Sequence, residues 1–272
     1  MKTIIVPINF SEVSINAAYY AADMAVETNS AIILMHVFTL PLGISETPQP
    51  FDRYETEAVE KSMKQLKDQL EFYVRDRIPI ISYITTGNFL EAMQALLKTT
   101  DPFAVIMGSK EINETAAFFV GSYIFSVAHN VDCTLIVVPP KITYNAIKNV
   151  GLACDLKSMP AYLPLSNIED LLEKFKASLQ VLYISKPGED NEACVNSGTK
   201  FMKDSLARFS PEISIGKFPE VSVGITELIG THHIDLLMVI PKKHEFPQNI
   251  FHKSITNEII HNSGIPIMVL HK

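Results

Sequence analysis

Four short runs in the first half of the chain, TIIVPI (residues 3–8), AIILMHV (31–37), FAVIM (103–107) and TLIVV (134–138), are rich in β-branched residues and almost unbroken in apolarity. Runs of this length and continuity read as strands buried on both faces. The stretches between them carry helical spacing instead. Ser11 stands where a helix cap is expected, and Val13, Ala17, Tyr20, Ala21, Met24 and Ala25 then share one face. Residues 52–75 place Val59, Met63, Leu66, Leu70 and Tyr73 on one side of a long helix. A strand over Ile80–Ile84, a helix over Asn88–Lys98 and a helix from about Val120 to Asn130 complete the alternation. A pattern of this kind predicts a parallel sheet covered by helices on both faces, with right-handed crossovers.

The second half repeats the order. Strands are expected over Asn149–Cys154, Leu179–Ile184, Ile213–Lys217, Leu236–Ile240 and Pro266–Leu270. Helices are expected over Leu165–Ala177, Val195–Phe209, Ser222–Gly230 and Ile250–Asn262. At a constant offset of 132 positions, Ser122 matches Ser254, His129 matches His261, Asn130 matches Asn262 and Val137 matches Val269. Repeated element order plus these identities points to duplication. The fold expectation is therefore α/β, with two tandem open five-stranded parallel sheets. The domains are 1–141 and 142–272, with the boundary at Pro139-Pro140-Lys141. The last strands of the two halves, LIVV and IMVL, are apolar enough to pair with each other.

Composition narrows the function. The chain has 272 residues and a formal net charge of -7, which argues against non-specific nucleic-acid binding and against a basic membrane-surface patch. Cys133, Cys154 and Cys194 are odd in number, without metal-knuckle or disulfide-scaffold spacing, and read as small apolar fillers. No stretch is long and apolar enough to span a bilayer, and the N-terminus lacks a signal-peptide core. A cytoplasmic protein is the expectation.

The loop GSKEINETAAFFVGS (108–122) follows a predicted strand and is bounded by Gly108 and Gly121-Ser122. Ligands of open α/β sheets bind at the carboxyl edge of the strands, and a helix start there offers N–H groups to an anion. Together with VPINFSEVSINAAYYAADMA, AIILMHV and the ending TLIVVPP, this loop resembles the universal stress protein family, in a tandem two-domain form. The resemblance implies a Rossmann-like, adenine nucleotide alpha hydrolase-like fold. It also implies a stress-response binding or signalling module rather than an enzyme. Its nucleotide motif is glycine, two residues, glycine, nine residues, glycine, then serine or threonine. Here Gly108, Gly121 and Ser122 fit, whereas Glu111 stands in place of the second glycine. The resemblance places Val37 and Met107 beside an adenine, and Asn9 where an aspartate is usual near base and ribose. ATP or AMP, with or without Mg²⁺, is the implied ligand. A carboxylate at Glu111 opposes a polyanion, unless Lys110 offsets it or the carboxylate helps to hold a divalent cation. A slow ATP hydrolase, with Glu111 orienting water or metal, is the enzymatic alternative.

The second half departs further from the motif. Pro241-Lys242-Lys243-His244 replaces the glycine loop, and Phe251-His252-Lys253-Ser254 replaces its end, while Asp155 takes the position of Asn9. Lys242, Lys243, His244, His252 and Lys253 could instead make a local anion site. No tight His–His or Cys–His spacing supports a metal site. His36 lies in an apolar strand and reads as a satisfied core residue, and His129 and His261 as helix C-terminal residues. By the resemblance, the two halves pair as a family dimer would, and a further homodimer is a second expectation.

Overall fold

The computed structural model describes residues 1–38, 53–109, 122–158, 163–188, 192–240, 258–259 and 263–270. The expected irregular loop before the long helix, the interior of the 108–122 loop, and nearly all of the helix expected over 250–262 lie outside these residues.

The chain forms two compact units. The first contains the strands β1 (Thr3–Pro7), β2 (Ala31–Phe38), β3 (Ile80–Thr86) and β4 (Ala104–Gly108), with the helices α1 (Glu12–Thr28), α2 (Arg53–Val74), α3 (Phe89–Thr100) and α4 (Ser122–Asn130). The strand order is β3-β2-β1-β4, with every pair parallel. Chain order runs outward from β1 to β2 and β3, then returns to place β4 on the other flank of β1. That reversal makes the crevice between the carboxyl ends of β1 and β4 the topological switch point.

Local chemistry sets the helix ends. Ser11 caps α1 in extended geometry, its side chain accepting from the Ser14 N–H, and Asn29 ends the helix in the left-handed conformation. Asn88 caps α3 by accepting from the N–H groups of Leu90 and Glu91 at 2.9 and 3.2 Å. Burial follows the expected faces, with one correction. Met63, Leu66 and Leu70 of α2 are buried, but Tyr73 is 48% exposed and Val74 takes the buried position. Tyr73 instead donates its hydroxyl to Asp23 at 2.9 Å and packs edge-on against Tyr19. A phenol satisfied at the surface avoids the cost of burying its O–H.

The second unit contains β5 (Leu135–Val138), β6 (Asn149–Ala153), β7 (Ser178–Ser185), β8 (Glu212–Lys217), β9 (Leu236–Val239) and β10 (Ile267–Val269). Its helices are α5 (Leu165–Phe175), α6 (Glu192–Ser205) and α7 (Val221–Thr231). The helix expected to run to Phe209 stops at Ser205, and a 3₁₀ turn over Ala207–Phe209 follows. The strand order is β5-β10-β9-β6-β7-β8. All of these pairs are parallel except β5 with β10, the LIVV and IMVL runs, which lie antiparallel. Leu135, Ile136 and Val137 face Val269, Met268 and Ile267, and all six are essentially inaccessible to solvent. Each such side chain contributes about 1.5–3 kcal/mol by leaving water. The reversal of strand order in this unit falls between β6 and β9.

Candidate functional site at the carboxyl edge of the first sheet

The end of β1 enters a tight turn that positions the first candidate residue. Ile8 extends the strand by one bond, donating its N–H to the Met35 carbonyl at 2.7 Å. Asn9, exposed, then accepts through Oδ1 from both the Ser11 N–H at 3.1 Å and the Ser11 hydroxyl at 2.6 Å. This is a side chain imitating a turn, the reason asparagine suits the position. Phe10 between them is held at φ 60°. Carrying the β1–β2 register forward from Pro7↔Met35 brings Val37, half-buried, level with Asn9.

On the other flank β4 ends in Met107, 8% exposed, and Gly108. A Cβ on Gly108 would lie 2.1 Å from the Val13 carbonyl oxygen and 2.7 Å from its carbon. The first turn of α1 therefore packs directly on this glycine. Its lack of a side chain serves helix–strand contact, a use that the sequence does not separate from approach to a phosphate. Asn9, Val37, Met107 and Gly108 thus share the carboxyl edge of β2, β1 and β4. Ser122 begins α4. Glu111 and Gly121 lie outside the described residues, as do Lys242, Lys243, His244, His252 and Lys253.

Three rings at this edge were not singled out together by the sequence. His36 sits 5.3 Å from Phe10 and 5.0 Å from Phe38, centroid to centroid, and all three are half-buried. His36 Nδ1 is 2.7 Å from the Ile8 carbonyl oxygen. A carbonyl only accepts, so Nδ1 carries the hydrogen, and in the neutral ring Nε2 is left as an acceptor. His36 is thus satisfied, as its apolar strand implied, and it also fixes the end of β1. The signal for the cluster was the spacing Phe10, His36, Phe38 on two adjacent strand ends.

The second unit keeps the turn. Cys154 N–H donates to the Leu182 carbonyl at 3.1 Å, and Asp155 Oδ1 accepts from the Lys157 N–H at 3.1 Å. These bonds repeat those of Ile8 and of Asn9 with Ser11. A 3₁₀ turn over Leu156–Ser158 then follows, and α5 (Leu165–Phe175) comes later in the crossover to β7. Burial, with Asp155 adding to it, pushes the Cys154 thiol up to about 12, and burial with Asp132 does the same to Cys133. Neither is a thiolate nucleophile.

A separate polar chain lies near the opposite, amino end of this sheet. Gln180 Nε2 donates to Ser214 Oγ at 2.6 Å, and Ser214 Oγ is 2.7 Å from His232 Nε2. It links β7, β8 and the end of α7. Among the described residues there is no group of three or more histidine, cysteine or carboxylate side chains placed to hold a metal. No helix among them is long and apolar enough to cross a membrane.

With this geometry, comparison with known proteins decides the family. The model of the universal stress protein family matches residues 1–139. The chain belongs to the universal stress protein family. Among solved structures it is similar to a universal stress protein from Archaeoglobus fulgidus DSM 4304. That match has 15% identity and a TM-score of 0.75, and covers 98% of this chain and 97% of that one. It is also similar to a protein of unknown function from Pseudomonas aeruginosa PAO1, at 11% identity and a TM-score of 0.63, covering 99% and 92%. The cytoplasmic domain of a prokaryotic cation chloride cotransporter matches at 10% identity and a TM-score of 0.54, covering 98% and 94%. At these identities the likeness is one of fold, which by itself assigns no function. No curated protein matched the chain.

Proposed function

We propose that this chain is a stress-response binding protein of the cytoplasm whose first unit takes an adenine nucleotide, ATP or AMP, at the carboxyl edge of β2, β1 and β4. The observation that carries this reading is the convergence of Asn9, Val37, Met107 and Gly108 on the switch point of a sheet belonging to this family. Val37 and Met107 supply apolar surface for a base. Asn9 lies at the turn where a ribose would be met. Gly108, Glu111, Gly121 and Ser122 would border the phosphates, with Mg²⁺ shared between them and Glu111. The protein acts by binding rather than by catalysis. Occupancy alters the surface presented to a partner, through different affinities for two states of the loop that follows β4.

The base-facing half fits such a ligand, because it is apolar and aromatic. At Gly108 the Val13 carbonyl fills the side-chain position, so this glycine serves the packing of α1 on β4. The second half of the sequence, 142–272, is read as a diverged copy whose motif is lost. Lys242, Lys243, His244, His252 and Lys253 form an anion site there.

Thermal melting of the full chain with ATP or AMP, with and without Mg²⁺, tests this. A ligand at 100 times its Kd stabilises by about 2.7 kcal/mol. A clear rise in Tm supports the reading, and no rise with either nucleotide in wild type or Glu111→Gly refutes it.

A further inference from the structure

We infer that the open edge of β3 is an interface for a second copy of this chain, whose own β3 pairs with it antiparallel about a two-fold axis. The inference does not depend on the nucleotide reading.

β3 is the outermost strand of the first unit, and among the described residues no strand pairs with its outer side. The backbone shows which groups lie there. Ile32 N–H donates to the Pro79 carbonyl, and Gly87 N–H donates to the Phe38 carbonyl, both at 2.9 Å. The odd-numbered residues of β3 therefore bond to β2. Ile80, Ser82, Ile84 and Thr86 turn their N–H and C=O groups to the open side. Pro79, just before the strand, lies in the odd series, so its missing N–H takes nothing from that side. The strand IISYITT contains no charge, glycine or proline, the devices that usually blunt an edge. The outer strand of the second unit, β8, carries Gly216 and ends on Lys217.

The side chains suit a copy of themselves. A two-fold axis at Tyr83 makes hydrogen-bonded pairs of Ile80 with Thr86 and of Ser82 with Ile84. It sets Ile81 opposite Thr85, and Tyr83 opposite Tyr83, as the closer pairs that share no backbone bond. Every outward backbone group of the strand then gains a partner, and Ile81, 50% exposed, meets a β-branched neighbour. An axis at Ser82 or Ile84 leaves end residues opposite no strand.

Charge sets the sense. The turn before β3 carries Arg75, Asp76 and Arg77, and the first turn of α3 beyond it carries Glu91, all exposed. Antiparallel pairing brings the basic end of one copy to the acidic end of the other, whereas parallel pairing sets like against like. Antiparallel edge pairing is also how β5 meets β10 within this chain.

Sedimentation velocity of the full chain from about 1 to 100 µM, without nucleotide, is expected to show a reversible monomer–dimer equilibrium, weak because one strand pair is a small interface. Ser82→Pro deletes one outward N–H and none of the bonds to β2, and is expected to weaken the dimer about tenfold or more. Ser82→Lys puts a charge on the same edge, is expected to act likewise, and serves if the proline variant does not fold. Tyr83→Cys is expected to give a disulfide-linked dimer under a mild oxidant, because residues facing across the axis have Cα atoms about 4.5 Å apart. Ile81→Cys, which lies far from its own copy, is expected to stay unlinked. A monomer at every concentration overturns the inference. So does a dimer unchanged by both Ser82 variants, or one that links in Ile81→Cys and not in Tyr83→Cys.

Discussion

The Val13 carbonyl oxygen occupies the place where a side chain on Gly108 would begin, 2.1 Å from an ideal Cβ. Backbone cannot retreat as a flexible side chain can, so α1 must shift to admit even a methyl group. Gly108→Ala is expected to cost about 1–3 kcal/mol, the usual range for overpacking, and to lower the urea midpoint with little change in slope. An alanine variant as stable as wild type would show that α1 does not rest on this glycine.

The Asn9–Ser11 turn is a coupled pair. Ser11→Ala removes the cap of α1 and an interaction with Asn9, with an expected loss of about 1 kcal/mol. Asn9→Ala removes the acceptor for both Ser11 groups. Because the two side chains share bonds, the double variant should lose less than the sum of the single ones. Strict additivity in denaturant unfolding would contradict the shared turn.

Cys133 and Cys154 have thiols pushed up to about 12 in the fold from an ordinary value of 9.0. Raised folded values mean that the folded chain holds protons that the unfolded chain releases. Their contribution to stability is therefore complete below about pH 9 and is lost as pH rises toward 12. Between pH 8 and 10.5 the Cys133→Ala, Cys154→Ala double variant should lose less stability than wild type. An identical loss in both proteins would show that these thiols do not contribute.

The Gln180–Ser214–His232 chain places a largely buried amide on a hydroxyl. Ser214→Ala leaves the Gln180 donor without its acceptor, at an expected cost of about 1–3 kcal/mol. Adding Gln180→Leu removes the orphaned group and should recover part of the loss. No recovery in the double variant would mean that the amide is not the source of the cost.

The sheet was legible because its strands are β-branched runs with few polar interruptions, and because Ser11, Asn29 and Asn88 are strong helix-end residues. The pairing of LIVV with IMVL was read from apolarity alone, and its antiparallel sense comes from the register. Tyr73 was misread because helical spacing gives direction but not what a hydroxyl will find at the surface. In the candidate site, Asn9, Val37, Met107 and Gly108 came from the family resemblance and share one edge. The reason for Gly108 was hidden, since a backbone carbonyl leaves no trace in the sequence of its neighbour. The aromatic group of Phe10, His36 and Phe38 depends on a left-handed residue and on strand register, neither of which composition reveals.

Amide hydrogen exchange of the full chain, with and without saturating ATP or AMP, tests the location of the site most directly. The account predicts new protection confined to the segments around 7–11, 36–38 and 107–109. Protection around 153–157 in the second unit instead, or binding without protection at the first edge, would contradict it.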